Sequence, residues 1–260
     1  MKLSIVDKSK KDIFISLFQL LKNAASVICI NFNDDHIYIQ GMDKSHICLF
    51  DIKIFSSWFN TYEYFSSDDS CICLCSQFFY NIIAMSQDKT SLNIHYEGKV
   101  DAIFIDLLCQ QETGDYNKYF KLPLTDFEPE VLNIPNVDYD AEFSIGAKKI
   151  CELCTQLLIF GDIMNVKCNE DKIDIISKGV GGEMAVNIQI DDLNEFSISE
   201  GEIIDISYSL NYIHKMCLSS KLSIDIGFSI SKDYPLRIKY DLGEDSVVMF
   251  YMAPRIDDDD

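Results

Sequence analysis

The chain contains no apolar run near the ~18 residues that cross a bilayer, so no segment of it reads as a membrane-spanning helix. It also lacks a nucleotide-binding glycine loop. Gly179-Val180-Gly181-Gly182 is not followed by the Lys-Ser/Thr that would engage phosphates. There is no Gly-x-Ser-x-Gly nucleophile elbow. The four histidines, His36, His46, His95 and His214, fall at no metal-ligand spacing. These absences remove the common apparatus of an enzyme, and the expectation is a protein with no catalytic residues, no cofactor and no metal. The ten cysteines form no zinc framework. Cys71, Cys73 and Cys75 alternate as on one face of a strand, and Cys151-x-x-Cys154 is a lone pair within a helical pattern. Reduced thiols are expected. The first seven residues show no signal-peptide pattern, which points to an intracellular location.

Basic residues are scarce. Lys and Arg number 22 against 42 Asp and Glu, a net charge of −20. Overall that opposes nucleic-acid binding, which relies on cations that displace counterions from phosphates. The distribution is uneven, however. Four stretches read as helices: 8–23, 76–86, 147–160 and 208–218. They carry +3, 0, +1 and +1, so the rest of the chain holds −25. Either helix composition varies by chance, or one set of elements is spared the acid that covers everything else.

What the sequence does contain is one pattern written twice. Asn33-Asp34-Asp35-His36-Ile37-Tyr38-Ile39 and Asn169-Glu170-Asp171-Lys172-Ile173-Asp174-Ile175 are acidic turns beside alternating apolar residues, the pattern of a β-hairpin. Each follows a helical stretch, with Gln19-Leu20-Leu21 matched by Gln156-Leu157-Leu158. The helices lie 137 residues apart and the turns 136, which reads as duplication unless two α+β hairpins coincide by chance. Phe14, Leu17, Phe18 and Leu21 form a helical stripe, and Ile150, Leu153, Cys154 and Leu157 repeat it. Period-two alternation marks strands at 27–40, 46–53, 92–94, 102–107, 184–190, 222–230, 236–240 and 247–251. The fold class is therefore α+β, with antiparallel sheet and two helices in each half.

Three of five prolines, Pro123, Pro129 and Pro135, mark the middle as an extended strap. Leu124, Phe127, Val131, Leu132, Ile134 and Val137 make it more apolar than an idle linker. It either packs along its own domains or forms one wall of a binding groove. The expected organisation is a first domain at 1–121, a connector at 122–139, a second domain at 140–256 and an acidic tail at 257–260.

Several motifs, in order along nearly the whole chain, resemble the sliding-clamp family of proliferating cell nuclear antigen. Gln40-Gly41-Met42-Asp43-Lys44-Ser45-His46-Ile47 is similar to its Gln-x-Met-Asp-x-Ser-His-Val loop, and Phe59-Asn60-Thr61-Tyr62 to the Phe-x-x-Tyr that follows. Leu132-Asn133-Ile134-Pro135 resembles its connector, and Gly161-Asp162 recurs after the second-domain helix. Tyr251-Met252-Ala253-Pro254-Arg255-Ile256, followed by acids, resembles its terminal signature.

The resemblance implies two similar clamp domains, with antiparallel sheets outside and two helices each inside. Three chains would close into a homotrimeric ring around double-stranded DNA. The ring would be loaded by an ATP-dependent clamp loader and would serve DNA polymerase and other clients in replication and repair. The expected location is the nucleus or, for a viral source, the host nucleus or a viral replication compartment. DNA-facing residues would be Lys10, Lys11, Lys22, Lys148, Lys149, Lys215 and Lys221, unless they are ordinary solvated lysines. A client peptide's aromatic pair would enter a pocket of Met42, His46, Ile47, Leu132, Ile134, Pro235, Tyr251, Met252, Ala253, Pro254 and Ile256, some of which could instead be packing residues. Subunits would join between 116–122 and 182–189, through Tyr116, Tyr119, Glu183, Ala185 and Asn187. Glu170 occupies the place where relatives carry a tag-accepting lysine. The alternative is an acidic, non-catalytic scaffold or a checkpoint-type subunit of a heterotrimer.

Overall fold

The computed structural model describes residues 1–65, 71–98, 100–109, 116–217 and 219–255. The acidic tail at 257–260 and Ile256 therefore lie outside the described residues.

The chain forms two compact units. Unit 1 comprises Met1–Lys44, Phe50–Leu132 and Leu242–Val248; unit 2 comprises Ser45–Leu49, Asn133–Asp241 and Met249–Asp260. In chain order the first half runs β1 (Lys2–Ile5), α1 (Lys8–Ala24), β2 (Val27–Phe32), β3 (His36–Met42), β4 (Cys48–Phe55), β5 (Thr61–Glu63), β6 (Cys71–Cys75), α2 (Ser76–Ile83), β7 (Thr90–Tyr96), β8 (Ala102–Cys109) and β9 (Lys118–Pro123). The second half repeats that order as β10 (Ala141–Gly146), α3 (Ala147–Leu157), β11 (Ile163–Cys168), β12 (Lys172–Gly179), β13 (Gly182–Gln189), β14 (Glu195–Ile198), β15 (Ile204–Ser209), α4 (Leu210–Cys217), β16 (Asp225–Ile230), β17 (Leu236–Gly243) and β18 (Ser246–Met252).

Sheet order repeats as well. The neighbours β6-β2-β3-β4 in the first half match β15-β11-β12-β13 in the second, and β5-β1-β7-β8-β9 match β14-β10-β16-β17-β18. Strand pairing among the described residues of these sheets is antiparallel, with Ile30 opposite Ile39 and Val166 opposite Ile175. The two acidic turns close alike: Asn33 N–H donates to the His36 carbonyl at 2.9 Å, and Asn169 N–H to the Lys172 carbonyl at 3.1 Å. The repeat expected from sequence is thus present in strand order and in turn chemistry.

Asp7 caps α1 by accepting the Lys10 N–H at 2.9 Å. Phe14, Leu17, Phe18 and Leu21 are all buried, and Phe18 meets Phe79 of α2 with ring centroids 4.6 Å apart. Trp58 is buried too, and its Nε1–H donates to the Leu242 carbonyl at 2.9 Å. In unit 2, α3 packs on α4, burying Ile150, Cys154 and Leu157 with Leu210, Ile213 and Cys217. Each large apolar side chain removed from water contributes roughly 1.5–3 kcal/mol. The Cys154 thiol beside it, and then its burial, push the Cys217 thiol well above the ordinary range. Cys154 is therefore core, and the lone CxxC is packing rather than chemistry.

Three local expectations change. The second, third and fourth helices are shorter than their patterns: 208–209 belong to β15, and the turns after Ile83 and Leu157 tighten, with Met85 N–H bonding the Ile82 carbonyl at 3.1 Å and Phe160 N–H the Leu157 carbonyl at 3.0 Å. Residues 222–224 precede β16 rather than join it. Cys29 and Cys73 are not thiols: they are direct partners in the β2–β6 register and form a disulfide. The glycine run after β12 has a steric cause. A Cβ on Gly179 would lie 2.1 Å from the Phe160 carbonyl oxygen, and Gly182 holds φ at +134°.

Candidate DNA-facing and partner-docking surfaces

The lysines expected to face DNA fall into two groups. Lys11 is only 2 % exposed, and its ammonium donates to the carbonyls of Gln87 (2.7 Å), Asp88 (3.1 Å) and Thr90. Burial pushes its pKa below the usual lysine value. Its assignment to the DNA-facing set is corrected: the charge is committed to the loop before β7. Lys11 lies three residues before Phe14 and seven before Phe18, on the buried stripe, and that spacing is the signal that marks it. Lys10 is half committed. Its Nζ donates to the Trp58 carbonyl and to Glu244 Oε1, both at 2.7 Å.

The remaining lysines are available. Lys148, Lys149, Lys215 and Lys221 are exposed, and Lys22 is half-buried with its ammonium 3.9 Å from the Tyr80 ring centroid. Lys215 lies over Tyr212 at 5.2 Å. None of these five makes an ion pair among the described residues. The solvent side of α2 is uncharged, formed by Gln77, Phe78 and Asn81. Cationic capacity is therefore concentrated on α3, α4 and the turn after α4, a difference between the halves that net charge alone conceals.

The residues expected at subunit joints lie on two sheet edges, apart from Tyr116, which precedes β9. β9 ends the β5-β1-β7-β8-β9 sheet and β13 ends the β13-β12-β11-β15 sheet. Tyr116 and Tyr119 are 85 % and 68 % exposed. Glu183, Ala185 and Asn187 alternate along β13 and are all exposed. Asn187 donates to Asp174 Oδ1 at 2.6 Å, and Lys178 pairs loosely with Glu183 at 3.9 Å. In the repeat, β9 corresponds to β18 and β13 to β4. Within unit 1, the Leu242–Val248 segment runs beside β4, where Ser246 Oγ accepts the Phe55 N–H at 3.0 Å.

The partner-pocket residues belong to different segments. In unit 1, Met42 ends β3 and Leu132 lies in the strap, both half-buried. In unit 2, His46, with φ of 55°, and Ile47 are exposed in the loop before β4; Ile134, Tyr251 and Pro254 are half-buried; Pro235 and Ala253 are exposed. β18 alternates burial, so Tyr251 points outward while Met252 is 1 % exposed. Met252 is accordingly corrected from docking surface to core. Arg255 N–H donates to the Ser207 carbonyl at 2.8 Å, fixing Arg255 beside β15. Glu170 accepts the Gly201 N–H at 2.9 Å, so its carboxylate closes a loop.

A feature that sequence reasoning missed is the clamp on the strap. From residue 124 to 139 the chain forms no helix or strand. Gln40 Nε2 donates to the Leu132 carbonyl and Gln40 Oε1 accepts the Leu132 N–H, both at 2.9 Å. Upstream, Leu124 N–H bonds the Asp101 carbonyl at 3.1 Å and Thr125 N–H the Cys73 carbonyl at 2.8 Å.

Comparison with known proteins agrees with this architecture. Residues 7–131 match the family described as proliferating cell nuclear antigen, N-terminal domain, and residues 133–255 match its C-terminal domain. Similar relatives include proliferating cell nuclear antigen of Chaetomium thermophilum, 26% identical over 233 residues and 88% of each chain. Another is proliferating cell nuclear antigen 2 of Plasmodium falciparum, 26% identical over 258 residues, which cover 94% of this chain and 96% of that one. With two tandem domains of one repeated design and both domain families matched, the chain belongs to the proliferating cell nuclear antigen family of sliding clamps.

Proposed function

We propose that three copies of this chain close head to tail into a ring that encircles duplex DNA. The ring tethers DNA polymerase and offers a docking platform to replication and repair proteins. The observation that carries this reading is the pair of open edges at β9 and β13, the repeat counterparts of β18 and β4. β9 of one copy pairs with β13 of the next, as the Leu242–Val248 segment lies along β4 in unit 1. Edge pairing satisfies the free backbone groups of both strands and protects them from unwanted association. A heterologous contact of this kind generates a closed ring when its rotation closes.

In such a ring the helices line the hole and the acidic sheets face outward, away from DNA. Retention is topological: a closed ring cannot leave sideways, so it needs no grip on a base. Contact runs from exposed lysines to phosphates, independent of sequence and weakened by salt. The chain performs no catalysis itself. An ATP-dependent loader opens and closes the ring, and the working site is the nucleus or a viral replication compartment. Clients bring a short peptide whose aromatic pair enters an apolar docking surface; one buried aromatic contributes roughly 1.5–3 kcal/mol.

Solution mass tests the assembly. A single species near three times the 29.8 kDa of one chain supports the ring. A persistent monomer contradicts a self-sufficient clamp and favours a subunit that needs different partners.

A further inference from the structure

We propose that Gln40 is a positioning residue for partner docking: it fixes the strap at Leu132 before a client arrives. This rests on the docking function proposed above. The two hydrogen bonds between the Gln40 amide and the Leu132 main chain imitate one rung of a β-ladder, in a segment that has no ladder of its own. The last upstream main-chain anchor described is at Thr125, so Gln40 holds the strap again seven residues further on.

The orientation of the Gln40 amide is set from behind. Its Nε2 also lies 3.3 Å from Asp51 Oδ2, on a β4 side chain only 8 % exposed. Tyr38 donates its hydroxyl to that same oxygen. Nε2 therefore faces two acceptors, the Asp51 carboxylate and the Leu132 carbonyl. Turning the amide over would set oxygen against oxygen, so Oε1 is left to accept the Leu132 N–H. Tyr38, Gln40 and Asp51 form one network whose output is the position of a backbone unit in the strap.

That position matters because an extended chain turns alternate side chains to one side. Leu132 and Ile134 are half-buried, while Val131, Asn133 and Pro135 are exposed. Fixing the main chain at 132 sets the depth at which the Leu132 and Ile134 side chains stand. A strap held in advance spares the client the ordering cost that otherwise weakens binding.

The test uses the full-length assembled protein and a fluorescein-labelled synthetic peptide carrying an aliphatic residue and two adjacent phenylalanines. Anisotropy gives its affinity for wild type, Gln40→Met and Gln40→Glu. Loss of two hydrogen bonds in Gln40→Met is expected to weaken binding about tenfold. Gln40→Glu binds more weakly still, because its carboxylate faces both the Leu132 carbonyl and Asp51. A residue that only fills space would rank methionine with glutamine. Hydrogen exchange supplies the second readout: the Leu132 amide exchanges faster in Gln40→Met while amides of β2 and β3 keep wild-type protection. Wild-type affinity in Gln40→Met, or unchanged Leu132 exchange, overturns the Gln40 assignment alone. A wild-type protein that ignores the peptide overturns the docking reading and this proposal with it.

Discussion

Lys11 Nζ lies 2.7 Å from the Gln87 carbonyl oxygen, within a set of three main-chain acceptors that surround a buried ammonium. Replacing it with methionine leaves those carbonyls facing an apolar group. Lys11→Met is expected to lower unfolding free energy by about 2–4 kcal/mol. It leaves the salt dependence of DNA retention unchanged. Lys148→Glu should do the reverse, since Lys148 is exposed on α3: stability within about 0.5 kcal/mol of wild type and weakened DNA contact. Denaturant titration beside a DNA-retention assay checks both.

Glu244 holds the ammonium of Lys10 at 2.7 Å. Glu244→Gln is expected to free that charge for phosphate. The slope of log affinity against log salt should steepen by up to about 0.9 for the added contact. Stability should change by less than about 1 kcal/mol, because the pair is partly exposed. Binding to duplex DNA across a salt series measures the slope.

Tyr119 is largely exposed on the open edge of β9. Tyr119→Asp places a charge where the proposed joint buries an aromatic ring. Trimer dissociation should rise at least tenfold, with the unfolding midpoint of the dissociated chain near that of wild type. Sedimentation over a concentration series reads the first quantity and thermal unfolding the second. An unaltered trimer would move the joint away from β9.

Tyr251 and Met252 are adjacent on β18 and point to opposite sides. Met252→Ala is expected to cost about 2–5 kcal/mol of stability through a core cavity. Tyr251→Ala should abolish polymerase stimulation while leaving assembly intact, and Ile134→Ala should behave like Tyr251→Ala. Primer extension with the loaded clamp, alongside solution mass, separates the two kinds of defect.

Much of this fold is legible in the sequence because its signals are local. The stripe from Phe14 to Leu21, the paired acidic turns and the alternation of β18 each lie within one short window. Features that depend on distant partners are harder to read. Nothing within a few residues of Cys29 indicates Cys73, 44 positions away, although each falls in a recognisable strand. The stripe spacing marks the position of Lys11 as buried, but the carbonyls at 87, 88 and 90 that satisfy its ammonium lie far along the chain. Gln40 appears in the motif that marks the family, yet its bond to Leu132 spans 92 residues and has no local signature. Met252 is the instructive exception. Strand alternation already separates it from Tyr251, although the terminal motif joins the two as neighbours.

The most direct test of encirclement is to load the protein onto nicked circular DNA with ATP and a clamp loader, wash, and then cut the circle once. The account predicts that the protein remains on the intact circle at moderate salt and is released when the DNA becomes linear. Equal retention on both forms would contradict a topological hold.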